Sequence, residues 1–290
     1  MLLDEMENPL FLNRKAHVAV AEGNLPAALD LFIKAHQGDP RNVSYINSIV
    51  SIMEKLGKFK ESVEYLDKLI ILQPKNMEFR LRKIDSLINS GQLNEALDTY
   101  NDTIEIDPYD PELYWKKADF LRDHENLDGA ILACGEAVQL NPENPTYRMS
   151  RAELLTEVEK FESALKDYDF LVEHNPFSPE ILYDRVKVLE RLGLVERSLN
   201  DIRRILDLRP HDLRWLQIAA EFMEASGYYE DALTIYNRLI ELNPERAEYY
   251  FLRGNLLEKL DRIEDSKKDL EKALEMDPTN PLFRNNQKEN

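Results

Sequence analysis

Apolar residues recur at spacings of three and four along almost the whole chain, interrupted by short polar stretches that end in proline. That spacing puts one apolar stripe on a helix and predicts amphipathic helices separated by tight turns. The interruptions are periodic: prolines stand at 40, 74, 108, 142, 176, 210, 244 and 278, each 34 residues after the last. Written in rows of that length, the chain gives eight copies at 9–42, 43–76, 77–110, 111–144, 145–178, 179–212, 213–246 and 247–280, with an N-terminal extension at 1–8 and a C-terminal tail at 281–290. Columns 3–14 and 17–28 of each row carry the apolar spacing, so every copy predicts two helices.

The columns give reasons for the packing. Column 8 is small or β-branched throughout: Ala16, Val50, Ile84, Ala118, Ala152, Val186, Ala220 and Gly254. Column 20 holds only Ala or Ser, so the two helices of a copy can approach closely. Column 15 is glycine in five copies (Gly23, Gly57, Gly91, Gly193, Gly227), the residue that suits the turn after a helix. The proline in column 32 stops the second helix, because it lacks a donor and crowds the preceding turn. Units of this kind bury their apolar faces against their neighbours, which makes the core linear.

A small residue in column 8, glycine in 15, alanine in 20, a bulky residue in 24 and proline in 32 together resemble the tetratricopeptide repeat family. The resemblance covers residues 9–280. It implies an all-α, right-handed superhelical solenoid of helix-turn-helix repeats, whose inner groove is lined by the first helices and holds a peptide or a partner's helix. The pattern departs from the family in column 4, where Arg80 and Arg148 replace an aromatic and Phe79 and Tyr147 supply one in column 3 instead. In column 7, Arg151, Arg185 and Arg253 coincide with Asp167, Asp201 and Asp269 in column 23, and no other copy has Asp there. An arginine fork matches a carboxylate, so these are expected to bridge the two helices of a repeat. At the end, Pro281-Leu282-Phe283 repeats Pro9-Leu10-Phe11 in phase, like a ninth first helix soon abandoned. Lys267 replaces the apolar residue that seven copies keep in column 21, which suits a terminal face turned to water.

Charge narrows the partners. The chain has 37 basic and 55 acidic residues and a net charge of −18. That balance argues against nucleic acid and against anionic membrane surfaces. The acidic opening MLLDEMENPLFL lacks the features of a signal peptide, and no apolar run is long enough to span a membrane. The expected location is cytoplasmic, consistent with a single cysteine, Cys134, in core column 24. His17, His36, His124, His174 and His211 occupy five different columns without metal-ligand spacing, and no glycine-rich loop cradles a phosphate. No catalytic constellation is found, so the expectation is a non-enzymatic protein with no cofactor and no metal.

The resemblance turns columns 5, 6 and 9 into the groove. Column 5 offers the apolar stripe Leu81, Trp115, Met149 and Tyr183, and column 9 the acids Asp85, Asp119 and Glu153. Arg82 and Lys116, in column 6, complete the candidate set. Copies three to five carry −5, −4 and −3. Two readings fit: aromatics that merely form the groove wall with acids for solubility, or a groove selecting a basic-amphipathic segment by aromatic anchors and complementary charge. The family's carboxylate clamp for chaperone tails needs Lys in column 5, and none is there. Its first triplet reads Asn13, His17, Ser48, Glu78 and Arg82, of which only the arginine fits. The related RNA-reading repeat is disfavoured by the strict period and the acidic groove. The expected function is a protein-interaction scaffold or adaptor, the alternative a self-assembling homo-oligomeric scaffold.

Overall fold

The computed structural model describes residues 8–285. The extension before Asn8, with the reading of the chain's opening, and the tail after Asn285 lie outside the described residues. All secondary structure among the described residues is helical. The helices form two compact units, Met1–Glu143 and Asn144–Asn290. The first contains α1 (Pro9–Ala21), α2 (Leu25–Gly38), α3 (Val43–Lys55), α4 (Phe59–Leu72), α5 (Met77–Asn89), α6 (Leu93–Ile106), α7 (Pro111–Asp123) and α8 (Leu127–Leu140). The second contains α9 (Pro145–Glu157), α10 (Phe161–His174), α11 (Pro179–Arg191), α12 (Val195–Leu208), α13 (Leu213–Ala225), α14 (Tyr229–Leu242), α15 (Ala247–Lys259), α16 (Ile263–Met276) and α17 (Pro281–Asn285). Within each unit every helix packs on the one before and the one after it.

Local chemistry sets where these helices start and stop. The odd-numbered helices α1–α13 have a capping side chain that accepts a backbone N–H of the first turn: Asn8, Asn42, Asn76, Asp110, Asn144, Ser178 and Asp212. Helix α15 follows Arg246, which makes no such bond. The even-numbered helices are different: only Asn24 and Asn126 cap theirs, and the other six start without a side-chain cap. Two residues beyond the end of each odd-numbered helix from α1 to α15 stands a residue with positive φ. Five are the glycines of column 15; the other three are Glu125, Glu159 and Asp261, at φ 59°, 58° and 58°. The turn is the same in all eight, because the following amide bonds back five residues, as Gln92 does to Leu87 at 2.8 Å and Asn126 to Leu121 at 2.9 Å.

The core runs along the contact between the two helices of each pair. Column 8 is buried in every copy, and Ala28, Ala96, Ala130, Ala164 and Ala232 in column 20 are fully buried. At Gly254 the approach is tight, since a Cβ there would meet Leu270 Cγ at 2.9 Å. Buried Leu and Phe side chains such as Phe32, Leu66, Leu171 and Leu239 each contribute about 1.5–3 kcal/mol to this association. Cys134 is fully buried among them. At Ser62, where serine replaces alanine, the hydroxyl donates to the Phe59 carbonyl at 2.7 Å and lies 3.0 Å from Ser86 Oγ. Lys267 is exposed.

Candidate functional site

Columns 5 and 9 lie four residues apart, so their side chains rise from one face of a helix. Between α5 and α7 they open a cleft of about 350 Å³. Leu81 and Trp115 form its apolar sides, Asp85, Asp119 and Lys116 its polar rim, and Tyr100 of α6 its floor. Five of the nine residues expected from sequence therefore meet here.

The charges on the rim are unequal. Lys116 Nζ lies 3.0 Å from Glu112, and Asp119 accepts a hydrogen bond from Arg122 at 2.8 Å. Asp85 has no side-chain partner among the described residues, and desolvation in the cleft raises its carboxyl above the usual range, with Lys116 opposing and Glu54 reinforcing. Beneath it, burial pushes the Tyr100 hydroxyl well above the ordinary phenol range, and Asp85 and Asp119 push it further.

Tyr100 is the residue sequence reasoning missed. Column 24 was read as core, and the ring is 5% exposed. Its hydroxyl is another matter. In the second unit, Tyr236 of the same column donates to Glu224 of column 12 at 3.0 Å. Copy three has Ile88 in column 12, which cannot accept, so the Tyr100 hydroxyl has no hydrogen-bond partner among the described residues, and Tyr100 lines the same cleft as Ile88. A tyrosine in column 24 opposite an isoleucine in column 12, where Tyr236 meets a glutamate, was the available signal.

The remaining expected residues are placed elsewhere. Arg82 turns to α3, where its guanidinium bonds to Asn47, to Ser51 at 3.2 Å and to Glu54 at 2.8 Å. It ties two first helices together. Met149, Glu153 and Tyr183 belong to the second unit. Tyr183 is half-buried, its ring edge-on to Trp215 at 5.6 Å with Lys187 Nζ 5.4 Å from its centroid. Met149 is half-buried and Glu153 exposed.

Models of the tetratricopeptide repeat match residues 54–111 and 149–212, residues 213–256, and residues 247–280. The chain belongs to the tetratricopeptide repeat family. No curated protein sequence matches it. Among solved structures, this tetratricopeptide repeat chain is similar to YrrB, a TPR protein with an unusual peptide-binding site, at 18% identity and a TM-score of 0.52 over 65% of this chain and 97% of that one. It is similar to MamA at 18% identity and a TM-score of 0.50, over 58% of this chain and 92% of that one. The Naa15/Naa10 structure bound to HypK-THB matches 97% of this chain and 55% of that chain, at 11% identity and a TM-score of 0.57. At such identities the likeness is one of fold.

Within these tetratricopeptide repeats the three Arg–Asp columns do bridge paired helices. Arg151 holds Asp167 through two bonds of 2.7 Å, Arg185 holds Asp201 at 2.8 and 2.7 Å, and Arg253 holds Asp269 at 2.6 and 2.7 Å. Asp167 is fully buried and takes a further bond from Arg148 at 3.0 Å. Bidentate pairs of this kind fix the register of one helix on the other. They are built for packing. Among the described residues, no group of three His, Cys, Asp or Glu side chains could hold a metal ion, and no helix is long and apolar enough to cross a membrane.

Proposed function

We propose that this tetratricopeptide repeat protein is a non-enzymatic interaction scaffold whose first unit captures a basic-amphipathic peptide or helix in the cleft between α5 and α7. The observation that carries the reading is the pairing of unsatisfied polar groups with apolar sides. The Tyr100 hydroxyl and the Asp85 carboxylate lack side-chain partners among the described residues, and Leu81 and Trp115 line the same cleft. A buried hydroxyl without a partner is unfavourable, so a ligand that brings a polar backbone group to Tyr100, and a Lys or Arg to the exposed Asp85, gains on binding. Trp115 supplies the large rigid anchor that such interfaces use. Asp119 adds charge that steers a basic segment more than it holds one. Met149, Glu153 and Tyr183 form a second candidate patch, within the second unit. YrrB, similar in fold, is a TPR protein with a peptide-binding site, which supports a peptide as the class of ligand.

The test uses labelled synthetic peptides in which leucine alternates with lysine, against matched peptides with glutamate in place of lysine. Fluorescence anisotropy with the full chain should favour the basic series, with affinity falling as salt rises. Trp115→Ala and Asp119→Lys should each weaken that binding, the first at all salt concentrations and the second mainly at low salt. Equal binding of both series, or binding unaltered in both variants, would discard this reading.

A further inference from the structure

One short sequence stands at both ends of the described chain. Asn8-Pro9-Leu10-Phe11 and Asn280-Pro281-Leu282-Phe283 are identical and occupy the same phase of the period. They also fold alike. Asn8 Oδ1 accepts the Leu10 amide at 2.9 Å, and Asn280 Oδ1 accepts the Leu282 amide at 3.1 Å. The Leu12 amide reaches the Asn8 carbonyl at 3.0 Å, and the Arg284 amide reaches the Asn280 carbonyl at 3.4 Å.

Their surroundings differ. Phe283 is only 5% exposed, with its ring 4.8 Å from that of Phe251 on α15. Arg284 Nε donates to the Pro278 carbonyl at 2.6 Å, as Arg80 and Tyr114 donate to Pro74 and Pro108 at the joints of the first unit. Helix α17 therefore sits as the opening turn of a ninth first helix would sit. At the other end, Phe11 is 43% and Leu10 52% exposed, whereas the later occupants of the Phe11 column in that unit, Tyr45, Phe79 and Leu113, are 7%, 4% and 2% exposed.

We infer that the α15–α16 end is a docking seat for the Asn8–Phe11 opening of a second copy of this chain, and that α17 fills that seat as an internal plug. One end presents an unburied replica of the segment that the other end buries. The contact would be head-to-tail, using different surfaces on the two copies. The plug is favoured because it is tethered to its seat, which gives it a high effective concentration.

Lys267 is a second guard. Inside the second unit, Leu233 of column 21 lines a pocket with Arg253 and Leu257, columns 7 and 11 of the next copy. In a docked second copy those columns hold Lys15 and Ala19, so Lys267 would face Lys15. Like charges oppose that approach, and salt screens the opposition. Association through this seat therefore strengthens with salt, the reverse of what is expected of the acidic cleft.

Sedimentation velocity on the full chain tests this. Wild type should run as a monomer. Phe283→Asp, which unseats the plug, should associate with rising concentration, more strongly in added salt and more strongly again with Lys267→Leu. Adding Phe11→Asp to Phe283→Asp should weaken association by roughly tenfold or more, since it removes a buried aromatic anchor. Circular dichroism checks that each variant keeps wild-type helicity. Should Phe283→Asp lose helicity, Lys267→Leu in the otherwise wild-type chain is compared with Lys267→Leu plus Phe11→Asp. A folded Phe283→Asp that stays monomeric overturns the inference, as does association that Phe11→Asp leaves unchanged.

Discussion

The turn that ends each first helix makes a quantitative prediction possible. Eight residues there have positive φ, yet only five are glycine. A Cβ added at any of those five would meet nothing within 4 Å, so what glycine relieves at this position is backbone strain and not crowding. Glu125, at φ 59°, bears that strain. Holding a residue with a side chain in the left-handed region costs about 1–2 kcal/mol, and glycine's greater freedom in the unfolded chain takes back about 0.5–1 kcal/mol. Glu125→Gly should then stabilise the first unit by about 0.5–1 kcal/mol, and Gly91→Ala should destabilise it by a similar amount. Glu159→Gly should gain less, because Glu159 also makes an exposed bridge to Arg191 at 2.8 Å, a kind of contact worth about 0–1 kcal/mol. Urea unfolding followed by circular dichroism measures these differences, with amide hydrogen exchange in α7 and α8 locating them. A neutral or destabilising Glu125→Gly, beside a Gly91→Ala that changes nothing, would refute the reasoning.

Two further outcomes follow from the ion pairs and the cleft. Asp167→Ala leaves Arg148 and Arg151 without their buried carboxylate and should destabilise the second unit by about 3 kcal/mol in urea, while peptide binding at the first-unit cleft stays at wild-type level; unchanged stability would argue against a structural role. Asp85 has a folded carboxyl value raised by desolvation, so ionising it opposes folding once pH passes that value. Asp85→Asn should therefore be more stable than wild type at neutral pH, with the gain vanishing in acid below the ordinary aspartate range. A difference that does not vary with pH would contradict that cause.

Helix positions were legible because the same apolar columns recur eight times, and repetition averages away the ambiguity of any one stretch. The Arg–Asp bridges were legible for the same reason, since columns 7 and 23 covary between copies. What columns hide is the contact between neighbouring copies. Arg82 stands in a groove column, but its column does not show that its guanidinium is tied to Asn47, Ser51 and Glu54 of the previous copy. Tyr100 was hidden by the opposite fault: its column is apolar on average, and only its meeting with Ile88 frees the hydroxyl. Glu125 and Glu159 carry no mark of a left-handed turn in their residue type, although the following amides bond back five residues as they do after the glycines. Nor does the even period mark the division at Glu143.

The uneven capping of the helices bears on how the chain comes off a ribosome. A helix of 13 or 14 residues is marginal in water, so an intrinsic start signal decides whether it forms before it has a neighbour. The first helix of nearly every copy brings that signal with it, whereas most second helices have none. Synthesis delivers them in the helpful order. Each self-starting helix emerges ahead of the dependent one that must fold on it, so the nascent chain always has a surface waiting for the segment that needs one.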